Sequence, residues 1–401
     1  MSIFNVESYL VDSIIKNVGQ DLILKNPAVK KLINRSEKNI LSRIMSNKVK
    51  IVVVGCGNMG SSHARAYKNL DGFELAGLVD CNPQARGKLA KELGVTRQFD
   101  NLDNAITDTR PQALSVCTYP ETHVELAVKG LNAGLHVFVE KPIAQTVEQA
   151  QQVVKLAKAK RKKVLVGYIL RHHPAWIKFI EIARTLGKPL VMRMNLNQQS
   201  KGAEWACHKR FLQDVSPIVD CGVHYVDVMC QMTRSRPIRT QAICARLSNE
   251  IDADKHNYGQ LQVVFEDGSV GWYEVGWGPM MSEVAFFIKD VVGPKGCVSM
   301  VKPEGAGKGS SADISSHTKT NCLQKHEAKL DKNGNFAKKD IIIDTRDEPD
   351  HQQLCQREQA YFLKAIREDI DLSEHLEDAV NSLRITLAAV ESAKTGRTIS
   401  L

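Results

Sequence analysis

None of the ten cysteines stands in a C-x-x-C pair, so the usual spacing of a structural zinc site is missing and no disulfide framework is offered. Scattered thiols of this kind suit a reducing cytoplasm. No apolar run approaches the roughly 20 residues that a membrane-spanning helix needs. The opening Met1 to Glu7 has no basic segment leading into an apolar one, so neither an anchor nor a secretory signal is expected. Aromatic residues make up only 6%, a poor supply for stacking the bases of single-stranded nucleic acid. Acidic residues fall short of basic ones by nine, and five of those nine charges lie in residues 1–50. The remainder is close to balanced, as a solvated surface would be, so neither nucleic acid nor a membrane is an expected partner.

What is present is length and a change of texture. A chain of 401 residues exceeds one ordinary core, and two domains are expected. Residues 1–48 carry apolar positions at helical spacing (Tyr9, Leu10, Ile14 and Ile15, then Val29, Leu32 and Ile33), which predicts a helical extension. The β-branched run from Val49 to Val54 reads as a buried parallel strand. Further strands at Phe73 to Val79, Ala113 to Cys117, His136 to Val139 and Val164 to Tyr168 alternate with helical patterns. That rhythm implies right-handed crossovers, so residues 49–172 are expected to form a doubly wound parallel sheet, a Rossmann domain. Residues 173–401 read differently. Longer strands and the hairpin signal Glu266-Asp267-Gly268 predict an α+β domain with a large, mostly antiparallel, open-faced sheet. Residues 303–340 read as an exposed excursion, followed by two amphipathic helices.

The sharpest local feature is Gly55-Cys56-Gly57-Asn58-Met59-Gly60, a G-x-G-x-x-G between a buried strand and a helix. The first glycine permits the tight turn and the second lets the backbone approach a pyrophosphate. The third lets helix and strand pack closely, while amides from Asn58 and Met59 onward face the phosphates. Asp80 ends the next strand, where a carboxylate accepts the ribose hydroxyls of an adenosine and repels a 2′-phosphate, favouring NAD over NADP. Its alternative role is to cap the helix that Pro83 opens.

Residues 113–142 read ALSVCTYPETHVELAVKGLNAGLHVFVEKP. This stretch resembles the signature of the glucose-fructose oxidoreductase, inositol dehydrogenase and rhizopine-catabolism (Gfo/Idh/MocA) family. The resemblance runs over about residues 49–300, is most specific over 50–142 and 216–227, and returns from Leu376 to Lys394. It implies that Thr118, Tyr119, Pro120 and His123 line the cofactor, that Glu140 and Lys141 border it, and that Lys141 is the catalytic lysine. A lysine at the carboxyl end of a parallel strand is where open α/β sheets hold ligands, and its ammonium can assist a hydroxyl to ionise. Pro142 stiffens the turn that aims it.

Asp220-Cys221-Gly222-Val223-His224-Tyr225-Val226-Asp227 resembles the family's D-x-G-x-H-x-x-D element. On one helix Asp220 and His224 share a face, so the carboxylate would orient the imidazole as a general base. Asp227 either shares that face or serves as a cap. Val215-Ser216-Pro217 stands where the family often has several glycines. Arg171 at the crossover, Trp205 with a ring able to stack on a sugar, and His224 are the expected substrate contacts. Cys221, His224 and Cys230 lack the further ligands a metal needs, and none is expected.

The resemblance therefore implies an NAD-dependent oxidoreductase that oxidises a secondary hydroxyl of a sugar, sugar derivative or polyol. Alternatives are a redox-neutral, NAD-retaining enzyme (a glycosidase or a sugar–sugar oxidoreductase) and a non-catalytic NAD-binding regulator, which the presence of Lys141, Asp220 and His224 disfavours. A homodimer or homotetramer built on the open sheet is also implied.

Overall fold

The computed structural model describes residues 48–283, 288–301, 311 and 318–401. The extension expected over residues 1–48 lies, apart from Lys48, outside the described residues. In the first sheet, β1 (Val49–Val54), β2 (Phe73–Val79), β3 (Gln98–Phe99), β4 (Ala113–Val116), β5 (His136–Val139) and β6 (Val164–Val166) run in the order β3-β2-β1-β4-β5-β6. Ile51, Val52 and Val53 are fully buried, because helices cover both faces of such a sheet and leave no polar side to encode. The crossovers are α1 (Asn58–Asn69), α2 (Pro83–Leu93), α3 (Leu102–Thr109), α4 (Pro120–Asn132) and α5 (Val147–Lys160). Strand β3 goes beyond the sequence reading, since two residues carry no periodicity. The order of strands reverses between β1 and β4, which puts the switch point at their carboxyl ends.

A 3-10 turn, Ile169–His172, leads into α6 (Pro174–Thr185) and the second sheet. Its strands are β7 (Val191–Gln198), β8 (Pro237–Ala245), β9 (Tyr258–Phe265), β10 (Val270–Trp277), β11 (Lys289–Gly293), β12 (Gly296–Val301), β13 (Cys322–Glu327), β14 (Ile341–Asp344) and β15 (Ile399–Ser400). They lie in the order β14-β13-β12-β11-β7-β10-β9-β8-β15. Among the described strands of this second sheet only β7 and β10 pair in parallel; its other pairs are antiparallel. Strand β13 falls within the stretch expected as an exposed excursion. Only its Cys322 and Leu323 are buried, and polar residues on an uncovered strand hide its signal.

The remaining helices are α7 (Gly202–Asp214), α8 (Pro217–Asp220), α9 (Gly222–Thr233), α10 (His351–Arg367) and α11 (Ser373–Thr395). Helix α11 belongs to both cores. Leu376, Ala379, Val380 and Leu383 pack with the first sheet's core, and Ile385 and Ala389 with the second's. Polar contacts fasten it: the Val166 amide donates to His375 Nε2 at 2.8 Å, and the Tyr168 and Ser382 hydroxyls lie 2.8 Å apart. Residues 50–401 form one compact unit, so the chain changes sheets near residue 172 without separating into two bodies.

A buried charge cluster sits where the two sheets' elements meet. Arg171 donates to Asp227 from Nε (2.9 Å) and Nη2 (2.6 Å), and to Asp378 on α11 at 2.7 Å. Arg234 also reaches Asp378, and Gln231 reaches Asp227. Burial pushes the Asp227 carboxyl above its usual range, and the Arg171 guanidinium opposes that shift. Arg171→Met would take the cationic partner from buried Asp227 and leave Asp378 to Arg234 alone, so we expect a loss of about 3–5 kcal/mol in denaturant unfolding with an unchanged slope. A loss below about 1 kcal/mol would put this cluster on a par with an exposed pair and refute its structural role.

Candidate active site

The two helices that flank the switch point begin without side-chain caps. Asn82, Asn101 and Thr146 cap α2, α3 and α5 through their side chains. Gly57 and Tyr119, which precede α1 and α4, make no such bond, so amides at both N-termini are available to an anion. The three glycines of the loop differ in what surrounds them. A Cβ on Gly55 would lie 2.4 Å from the Cys117 carbonyl oxygen, and one on Gly60 would lie 1.8 Å from that of Gly55. A Cβ on Gly57 would meet nothing within 4 Å. Gly55 and Gly60 thus serve the fold, while Gly57 keeps open the space that a pyrophosphate needs. Asn58 is exposed and Met59 half-buried beside it.

Asp80 lies at the edge of this space. Its carboxylate accepts from the Cys56 amide at 2.6 Å and the Asn82 amide at 2.8 Å. Asn82, not Asp80, caps α2. Arg86 is tied to the backbone, donating to the carbonyls of Asp80 and Phe99. Burial, with the charge of Asp80, pushes the Cys56 thiol up to about 12, so it packs as a neutral group. An uncapped helix start, a clear second glycine and a carboxylate at the end of β2 together fit a dinucleotide.

Across the switch point, β5 is followed by Glu140 and Lys141, and the Lys141–Pro142 peptide is cis. Lys141 Nζ donates to Asp220 Oδ1 at 2.7 Å and to the Asp220 carbonyl at 2.9 Å. Burial works to lower the proton affinity of the ammonium, but Asp220 opposes it and Lys141 is held above the usual lysine range. The same pairing, with a smaller contribution from His224, holds Asp220 below the usual carboxylate range against its own burial. Lys141, Asp220 and His224 are therefore neighbours, as expected. The route differs from expectation: the helix breaks at Cys221, and Asp220 closes the short α8 while His224 lies in the first turn of α9. His224 is half-buried, with its ring against Tyr168 at 5.8 Å between centroids.

Glu140 turns inward, into a chain of hydrogen bonds that sequence reasoning missed. The Tyr67 hydroxyl donates to Gln359 Oε1 (2.8 Å), Gln359 Nε2 donates to His63 Nδ1 (2.9 Å), and His63 Nε2 lies 2.6 Å from Glu140 Oε1. Glu140 Oε2 accepts the Lys141 amide at 3.1 Å. Read along its donors, this order leaves the His63 proton on Nε2. Burial would raise the Glu140 carboxyl, but His63 and Lys141 keep it low. His63 and Gln359 are 296 residues apart, too far for any local signal.

The remaining expected residues divide. Thr118 is half-buried and Tyr119 half-exposed at the start of α4, where Pro120 is the first helical residue. His123 is fully buried behind them. Arg171, expected as a substrate contact, has its guanidinium bound by Asp227 and Asp378. Trp205, expected to stack on a sugar, lies on α7, is 5% exposed and belongs to the second core. Asp227 sits within α9 as Arg171's partner, which removes the cap alternative. Among the described residues no group of three or more His, Cys, Asp or Glu side chains could hold a metal ion, and no helix is long and apolar enough to cross a membrane.

Residues 49–168 match the family model described as "Oxidoreductase family, NAD-binding Rossmann fold", and residues 181–297 match the "GFO/IDH/MocA C-terminal domain". The chain belongs to the GFO/IDH/MocA oxidoreductase family. Its relatives in this family include UDP-N-acetylglucosamine 3-dehydrogenase of Acidithiobacillus ferrooxidans, 28% identical over 48% of this chain and 56% of that protein. Inositol 2-dehydrogenase of Paracoccus denitrificans is 29% identical over 45% of this chain and 53% of that protein. The chain thus matches about half the length of these curated relatives. An NAD binding oxidoreductase from Klebsiella pneumoniae shares the fold, with a TM-score of 0.72, 20% identity, and 88% of this chain and 99% of that one covered.

Within the GFO/IDH/MocA frame, the glycine loop separates fold from binding. Gly60→Ala, which must displace backbone, is expected to cost about 1–3 kcal/mol. Gly57→Ala should leave stability within about 0.5 kcal/mol yet weaken NAD binding about tenfold by calorimetric titration. Equal effects of the two on NAD affinity at full folding would contradict this division.

Proposed function

We propose that this chain is an NAD-dependent dehydrogenase that oxidises a secondary hydroxyl group of a sugar, sugar derivative or polyol. The observation that carries the reading is the Lys141–Asp220 pair, 2.7 Å apart, at the carboxyl end of β5 with His224 beside it. A substrate hydroxyl held there would receive a hydrogen bond from the Lys141 ammonium, which favours its ionised form. Asp220 keeps that ammonium charged, so Lys141 acts as donor and the proton leaves to His224. NAD, when bound, supplies the acceptor for the hydride that departs from the same carbon. Gly57, Asn58, Met59, Asp80 and the loop of Thr118 and Tyr119 ahead of Pro120 form the cofactor side, with NAD favoured over NADP by the Asp80 carboxylate.

The reading extends to a cytoplasmic homodimer or homotetramer. Its support is ten free thiols and an apolar row on the uncovered sheet face, where Val270, Val191 and Val292 are cross-strand neighbours and each exposed. We assign residues 49–172 to cofactor binding and 173–401 to substrate binding and assembly, with α10 and α11 returning to brace the first sheet.

Purified protein given NAD and a panel of sugars, inositols and sugar phosphates should release NADH with at least one of them. Lys141→Met should lower kcat by about 10³-fold or more with NAD affinity nearly unchanged. Full turnover in that variant would remove Lys141 from the chemistry. A Val191→Glu and Val270→Glu double variant should dissociate the oligomer in light scattering; an unchanged mass would move the interface elsewhere.

A further inference from the structure

The lysine turn has a second attachment, on the side away from Glu140. His123 lies in the first turns of α4 and is fully buried. Its Nδ1 is 2.8 Å from the carbonyl oxygen of Pro142, and its Nε2 is 3.0 Å from that of Thr118. One ring therefore spans the loop that follows β4 and the turn that follows β5. Both partners are backbone carbonyls, which accept and cannot donate. Thr118 is fixed in turn by the Thr122 hydroxyl, which donates to its Oγ1 at 2.6 Å.

We propose that His123 is a positioning residue that sets the separation between the cofactor loop at Thr118 and the turn that carries Lys141. This inference rests on the dehydrogenase reading for its kinetic consequence, but not for its structural one. The ring is enclosed and faces two carbonyls, so it acts through backbone and not by touching the cofactor. A neutral ring donates to one carbonyl, and a charged ring donates to both. The charges that bear on it are Glu140 and Lys141, of opposite sign, and burial holds the ring below the usual histidine range. Through His123 on one flank and Glu140 on the other, the residues on either side of Lys141 are both held by groups outside the turn.

The test compares His123→Phe, which fills the volume without donating, and His123→Asn, which keeps one donor. In both, hydrogen exchange of the Thr118, Lys141, Ile143 and Ala144 amides is measured with no ligand present, alongside kcat and NAD affinity. For His123→Phe we expect exchange at these amides about tenfold faster than in the unsubstituted protein. We expect kcat about 10²-fold lower, as misplacement of roughly 1 Å would give, with NAD affinity within about threefold. His123→Asn should recover part of both effects, and it replaces the phenylalanine variant if that one does not fold. Unchanged exchange at Lys141 and Ile143 in a folded variant overturns the proposal. So does a loss of NAD affinity that matches the loss of kcat, since the ring would then serve the cofactor directly. If the unsubstituted protein oxidises no substrate at all, the dehydrogenase reading fails by itself, and the exchange data still decide the role of His123.

Discussion

An ammonium group and a carboxylate 2.7 Å apart join a turn of the first sheet to a short helix of the second half. Burial works against each charge taken alone. Each is kept by the other, and so the position of Lys141 depends on where the second half of the chain presents Asp220. Every other feature of the site can be read as holding one end of that pair. Glu140 and its relay fix the lysine's amide, the buried histidine of α4 fixes the following carbonyl, and the uncapped starts of α1 and α4 leave the adjacent space to an anion.

The cost of such an arrangement is met elsewhere in the fold. Buried polar groups must find partners, since an unpaired one forfeits its hydration. The first sheet meets this demand with residues from the far end of the chain. Gln359 on α10 completes the His63–Glu140 contact, His375 on α11 takes the amide of Val166, and Asp378 on the same helix takes Arg171. This explains why a Rossmann sheet that is complete in sequence by residue 168 still requires residues 351–395. It also explains why residues 50–401 form one unit.

The sequence made visible those parts of this scheme that are local. A strand, a glycine loop and a helix follow one another within some twenty residues, and Lys141 stands at a strand end that its neighbours define. The parts that depend on tertiary contacts were hidden or misassigned. Arg171 and Trp205 looked like substrate residues because a sequence does not reveal burial; one is neutralised by two carboxylates, and the other lies in a core. The four-residue spacing of Asp220 and His224 suggested one helical face, whereas Pro217 opens a separate short helix that ends at Asp220. Asp220 meets Lys141 from the end of that short helix, and His224 still bears on its charge. The relay through Tyr67, Gln359 and His63 had no local signature at all.

The electrostatics of the pair also bear on the roles proposed around it. A lysine can serve as acid or as base depending on where its proton affinity lies relative to neutral pH. Here the facing carboxylate raises that affinity, so the group remains a cation and can only donate. In the proposed reaction a hydroxyl bound at Nζ would thereby be stabilised as it ionises, and its proton would go to another acceptor. Asp220 is a poor one, because the lysine that it pairs with lowers its own proton affinity. His224, half-buried at the start of α9, is the acceptor that the proposed reaction assigns. In the proposed reaction, the division of labour between lysine and histidine would thus follow from the carboxylate that pairs with the lysine.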